Sequence, residues 1–236
     1  MCIRDSSTKV NNVNDEGQTK IHDNDYYYHN NDMGRSGYQD PAVHSAINQY
    51  NQYISANNIT TVDGKREARK LFPLSKPATE GSQDLPDNAY VDGARTEYAM
   101  LKIDEAANSG KPFFLAVGYS KPHLPFVAPK SYWDLYDRSK IDLADNHFAP
   151  KGAPSQSLHK WGELRSYGGI PADGPLSDDL ARILIHGYYA CVSYTDKLIG
   201  DLLDELENLG IHEDTVVLLM GDHGWQLGEH ALWCKH

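Results

Sequence analysis

From Ser177 to Gly210 the chain carries a single apolar stripe at three- and four-residue spacing, running through Leu184, Tyr188, Cys191, Leu198, Leu202, Leu206 and Leu209. That period is helical, and a helix with so broad an apolar face needs a large partner to cover it. Ser177-Asp178-Asp179 suits its start, where side-chain oxygens and negative charge meet free N–H groups, and Gly210 suits its stop. Two apolar runs lie on either side, Pro112 to Gly118 and Thr215 to Met220. Each reads as a buried strand of a parallel sheet. A further helix is expected from Gly93 to about Asn108, with Asp92 as its cap and Gly110 closing it. The order helix, strand, long loop, long helix, strand predicts a parallel α/β sheet flanked by helices.

Chemistry collects just after the second run. Met220 to His236 contains Asp222, His223, Glu229, His230, Lys235 and His236. In open α/β sheets, ligands bind beyond the carboxyl ends of strands, where the loops diverge. An Asp there suits a hard cation, a neighbouring His can ligate or hydrogen-bond, and a Lys can neutralise an anionic oxygen. An Asp-His-Gly after a strand also occurs as an ordinary turn with a capping carboxylate. The first run ends similarly, in Tyr119-Ser120-Lys121-Pro122-His123-Leu124-Pro125-Phe126. Pro122 and Pro125 restrain the backbone around His123, which reads either as a positioned functional imidazole or as a packed loop histidine.

The whole chain sets limits on partners. Its 236 residues suffice for a sizeable core, and its formal net charge of -11 argues against nucleic acid, whose phosphates need a basic surface. An anionic substrate therefore needs a local basic patch or a metal. No run of about eighteen apolar residues is present, so no membrane span is expected. Cys2, Cys191 and Cys234 are far apart and odd in number, which fits neither a disulfide framework nor paired zinc ligands. Cys191 lies on the helical stripe and reads as a small core residue. The opening M-C-I-R-D-S-S-T-K lacks the apolar stretch of a signal peptide.

Residues 1–84 are read as an irregular, loop-rich segment, with one helix expected around Pro41 to Ile54 from the spacing of Val43, Ile47, Tyr50 and Ile54. Residues 127–175 form a second polar connection rich in Pro and Gly. The regular grammar of strands and helices occupies residues 85–236.

Three separated motifs carry a family resemblance: P-F-F-L-A-V-G-Y-S-K-P-H-L-P-F at 112–126, G-Y-Y-A-C-V-S-Y-T-D at 187–196 and G-D-H-G-W-Q-L-G-E-H-A-L-W-C-K-H at 221–236. Together they resemble the type I sulfatases, most closely the iduronate-2-sulfatase branch and its bacterial relatives. The resemblance implies an alkaline-phosphatase-like α/β fold, a formylglycine nucleophile made from a cysteine, and one calcium ion. It matches Asp222 and His223 to calcium ligands, His123 to the histidine that contacts the sulfate and moves a proton, and Lys235 to the lysine that binds sulfate oxygens. It implies a sulfated carbohydrate as substrate, and a periplasmic, secreted or lysosomal location.

The pattern is incomplete. The family's nucleophile sits in Cys-x-(Pro/Ala/Ser)-x-Arg, and the surroundings of Cys2, Cys191 and Cys234 do not fit it. The paired aspartates expected after a first strand are also missing, as is a Lys-x-x-His; Lys20-Ile21-His22 has the wrong spacing. The expectation is an internal piece of a sulfatase with an incomplete sheet, inactive alone. Alternatives are a choline-sulfatase-like or phosphonate-hydrolase-like relative, and a non-catalytic binder of sulfated glycans.

Overall fold

Helix formation follows the capping chemistry closely. The computed structural model describes residues 11–13, 19–21 and 37–235; Cys2, His22 and His236 lie outside them. In chain order the regular elements are β1 (Asn11–Val13), β2 (Thr19–Ile21), α1 (Pro41–Ala56), α2 (Val62–Leu71), β3 (Thr79–Glu80), α3 (Val91–Ser109), β4 (Phe126–Val127), α4 (Lys130–Trp133), α5 (Asp178–Asn208), β5 (Gln226–Leu227) and β6 (Trp233–Cys234), with short 3₁₀ turns between them. The described residues divide into two units. One falls within Met1–Gly37, Leu85–Pro122 and Val192–His223, the other within Tyr38–Asp84, His123–Cys191 and Gly224–His236.

In the first unit, α3 starts two residues earlier than expected, with Tyr90 rather than Asp92 at the cap position, and ends, as expected, at Gly110 in the left-handed conformation. The role expected of Asp92 is corrected. Its carboxylate is buried and accepts from the backbone N–H of Ser120 (3.0 and 2.9 Å) and of Lys121 (2.8 Å), and from Arg95 Nη1 (2.7 Å). It therefore ties α3 to the segment that leads toward His123 in sequence. Gly93 is required by crowding, since an added Cβ would stand 2.0 Å from Asp87 O. Its N–H donates to the Tyr194 hydroxyl (2.7 Å), which in turn donates to Asp87 O (3.0 Å). The far end of α5 closes as its sequence predicts: Gly210 takes a positive φ, and Ile211 N–H reaches back to Leu206 O (3.0 Å).

The second unit is built around Phe126, Val127, Trp133, Leu164, Leu184 and Cys191, all buried. Ser177 Oγ caps α5 by accepting from Leu180 N–H (3.3 Å), and Cys191, 0% exposed, is the core residue its stripe suggested. Gly187 lets α5 approach closely, because a Cβ there would lie 2.7 Å from the Trp133 ring and 2.9 Å from Phe126 Cβ. The stretch up to residue 84 is less irregular than expected. Asp40 caps α1 (Ala42 N to Oδ1, 2.8 Å) and Thr61 caps α2 (Gly64 N to Oγ1, 3.1 Å). The second of these helices has few apolar positions to announce it, and Arg69 lies over the Tyr50 ring at 4.3 Å.

The sheet is much smaller than the two apolar runs predict. Its only parallel pair of strands among the described residues joins β3 to β4 (Thr79↔Phe126, Glu80↔Val127), with one isolated parallel bridge at Pro77↔Gly168; β1–β2 and β5–β6 are antiparallel. Neither Pro112–Gly118 nor Thr215–Met220 forms a strand. Val216 and Leu218 are 96% and 78% exposed, and Phe114 is 58% exposed. A strand exists only as part of a ladder that takes up its N–H and C=O groups, and neither run is paired in one of the ladders among the described residues.

Candidate active site

The second unit brings His123 and Lys235 together. Lys235 directly follows the hairpin β5–β6, whose turn uses Gly228 at φ 115 and closes with Gly228 N–H to Leu232 O (2.9 Å). Trp233 and Cys234 are buried and anchor the strand that precedes it. His123 is fixed from the other side. Both flanking prolines follow cis peptide bonds, and the ring's Nδ1 lies 2.7 Å from Leu124 O. A carbonyl can only accept, so Nδ1 carries a proton and Nε2 is the nitrogen turned toward the other side chains of the site.

That nitrogen meets two charged groups. Lys235 Nζ contacts Nε2 directly, and Glu163 Oε1 lies 3.1 Å from the same nitrogen. Lys235 Nζ is 3.9 Å from Glu163 Oε2. With Nε2 unprotonated, Lys235 donates to it; once protonated, Nε2 donates to Glu163 instead. The side chains of His123, Lys235 and Glu163 are 20–25% exposed, so a ligand can reach them while their charges are only partly screened. Trp225 forms a wall, its ring edge-to-face with His123 (5.1 Å) and stacked on Tyr188 (6.4 Å), with Lys235 Nζ 5.8 Å from its centre.

Neither described cysteine is a nucleophile here. Burial, and then the charge of Glu163, pushes the Cys234 thiol up to about 12. Cys191 donates from the core to Val127 O (3.6 Å). A thiol held protonated does not attack. Below the site, Lys76 Nζ donates to Ser166 Oγ (2.7 Å) and sits over the Tyr167 ring (4.2 Å), and burial pushes its ammonium down.

Asp222 and His223 belong to the other unit, where His223 Nε2 lies 3.5 Å from Asp222 Oδ2. Among the described residues no group of three or more His, Cys, Asp or Glu side chains is placed to hold a metal. Calcium takes roughly six to eight oxygen ligands. One carboxylate and an imidazole, which is a poor ligand for a hard cation, do not fit that shell by themselves. Glu163 is the site residue that sequence reasoning missed: it is one acidic residue in a Pro- and Gly-rich connection, held in place by its buried neighbour Leu164 (1% exposed) and by Ser166, whose N–H and hydroxyl donate to Glu163 O (3.1 and 2.7 Å).

The structure of a phosphonate monoester hydrolase from Silicibacter pomeroyi is similar to 78% of this chain at a TM-score of 0.51 and 18% identity, covering 37% of that protein. The class is therefore an α/β protein of the alkaline-phosphatase-like fold, with its sheet incomplete in this chain. The Sulfatase family model matches residues 16–236, and the chain belongs to that family. It is 31% identical over 233 residues to mouse iduronate 2-sulfatase, covering 96% of this chain and 39% of that protein. To human iduronate 2-sulfatase it is 34% identical over 191 residues, covering 78% and 34%. Choline-sulfatase of Rhizobium meliloti is 33% identical over 146 residues, covering 60% and 27%. The chain thus spans well under half the length of these relatives. Among the described residues no helix is long and apolar enough to cross a membrane.

Proposed function

We propose that this chain carries part of the active site of a sulfuric ester hydrolase whose substrate is a sulfated sugar, a sulfated uronate of a glycosaminoglycan-like polysaccharide in the first instance. The single observation that carries the reading is the contact between Lys235 Nζ and His123 Nε2, two residues that the family resemblance matches to sulfate-binding positions. Breaking a sulfate ester needs positive charge on the non-bridging oxygens, a proton for the departing alcohol and an activated nucleophile. Lys235 supplies the first. His123, with Nδ1 tied to Leu124 O, supplies the second from Nε2 when that nitrogen is protonated. The nucleophile in this reading is the formylglycine of the family, for which Cys2, Cys191 and Cys234 do not provide the motif. Asp222 and His223 contribute at most part of the expected calcium shell, so no step is assigned to the metal. By the same kinship the protein acts in a periplasmic, secreted or lysosomal setting.

The test is a substrate panel on a chain that includes the formylglycine motif: a 2-O-sulfated uronate disaccharide, choline sulfate and a phosphonate monoester. Preferential desulfation of the disaccharide is expected. Faster turnover of choline sulfate favours the choline-sulfatase-like alternative, and binding of the disaccharide without hydrolysis favours the glycan binder.

A further inference from the structure

We infer that Glu163 sets the charge selectivity of the anion site, admitting monoanionic sulfate esters and disfavouring dianionic phosphate monoesters; this rests on the proposal that His123 and Lys235 hold a sulfate. Glu163 Oε1 is 3.1 Å from His123 Nε2 and its Oε2 is 3.9 Å from Lys235 Nζ, so any oxyanion held by both groups has this carboxylate as a near neighbour. The ammonium and the carboxylate cancel in formal charge. A ligand bearing one negative charge gains from Lys235 about what it loses to Glu163, and its hydrogen bonds then decide binding. The pair offers a dianion no more net attraction than it offers a monoanion, while the hydration that a second negative charge gives up on entering this partly buried site is larger. A sulfate ester carries one charge, whereas a phosphate monoester carries about -1.5 to -2 at pH 7.

The surroundings keep Glu163 effective. Its side chain is only 23% exposed, which limits screening. Lys76 acts on it from the adjoining segment but is engaged by Ser166 and Tyr167. Tyr167 and Cys234, which also interact with it, are held neutral by burial. A carboxylate facing both anion-binding groups has a clear cost for anion affinity. Selectivity between two tetrahedral oxyanions of similar size is the return that this geometry provides.

The experiment follows binding of phenyl sulfate, phenyl phosphate and phenyl methylphosphonate to the 236-residue chain at pH 8, by NMR of the His123 imidazole and the Trp225 indole. In the unsubstituted chain phenyl phosphate should bind more weakly than phenyl methylphosphonate, which has the same central atom and one charge fewer. Equal affinity overturns the inference. Glu163→Gln should raise the affinity for phenyl phosphate relative to phenyl sulfate about tenfold, and Glu163→Asp should leave the ratio unchanged. If both ligands bind, Lys235→Ala abolishes binding and Glu163→Gln leaves the ratio unchanged, the role of Glu163 is wrong while the sulfate-site proposal stands. If no ligand perturbs His123 or Trp225 in the unsubstituted chain, the sulfate-site proposal itself fails and the inference goes with it.

Discussion

Lys235 Nζ touches His123 Nε2 across a separation of 112 residues. The two side chains arrive by different routes, one after a hairpin strand with buried residues, the other between two prolines whose carbonyl neighbour fixes the ring. Their meeting puts an ammonium and an imidazole nitrogen in direct contact, so in the proposed reading a single anion addresses both.

In a chain that supplies the nucleophile, Lys235→Ala should therefore remove a charge-assisted contact and lower kcat/KM by about 2 to 4 kcal/mol of transition-state stabilisation. His123→Ala should do comparable damage, since no mobile side chain replaces a ring held at both ends. Substituting His159 or His230 should matter less: they pair with Gln226 (3.4 Å) and Asn146 (3.3 Å), not with the central pair. Steady-state kinetics on a soluble aryl sulfate distinguishes the groups. Loss in His230→Ala equal to that in Lys235→Ala would remove the special status of the pair.

What the sequence made legible was whatever is decided locally. The spacing of Val43, Ile47, Tyr50 and Ile54 placed α1, and Ser177, Gly110 and Gly210 placed the start of α5 and the ends of α3 and α5 to within a few residues, because these residues satisfy helix ends by themselves. The strand readings of Pro112–Gly118 and Thr215–Met220 failed because composition reports burial preference, while a ladder needs a partner elsewhere. Asp92 was misread for the same reason: a capping position is visible in sequence, but a carboxylate drawn to the backbone of Ser120 and Lys121 is not. Glu163 has no periodicity around it, so only the folded connection reveals what it faces.

The buried pair Asp92–Arg95 gives a stability prediction. Asp92 is 1% and Arg95 9% exposed in their side chains, and three further hydrogen bonds end on the carboxylate. Asp92→Ala strands the guanidinium and two backbone N–H groups in the interior, which costs about 3 to 5 kcal/mol. Asp92→Asn keeps one acceptor and should cost less. Urea denaturation followed by circular dichroism checks both; a midpoint unchanged by Asp92→Ala would contradict the assignment.

Metal binding by this chain alone should be weak, since Asp222 and His223 offer a single carboxylate to a cation that needs many oxygens. Calorimetry should find no calcium affinity better than micromolar. The same chain should show no turnover of a sulfate ester above a blank, because an ammonium and an imidazole leave the covalent step undone. Submicromolar calcium binding or measurable hydrolysis would each show that the described residues do more than their geometry indicates.

Glu80 offers a test in the opposite direction on pH. It is 6% exposed, its Oε1 accepts from Gln39 N–H (2.6 Å), and its Oε2 is buried with no hydrogen-bond partner among the described residues. Burial raises its carboxyl above the usual carboxylate value, outweighing the backbone donors of Gln39 and Asp40. A raised folded-state pKa means that the folded chain holds this proton more tightly than the unfolded one. The stability from this group is thus fully present below the unfolded carboxyl pKa of about 4.3 and is lost as pH rises through the folded value. At neutral pH the ionised group is a net cost. Glu80→Gln keeps an acceptor for Gln39 and removes the charge, so it should stabilise the chain at pH 7 by on the order of 1 kcal/mol, the scale of one poorly satisfied buried polar group. That advantage should shrink as pH falls toward 4, where the native carboxyl is already protonated. Thermal melts of both chains across this range decide the matter: a gain that stays constant with pH means that packing, not ionisation, is responsible.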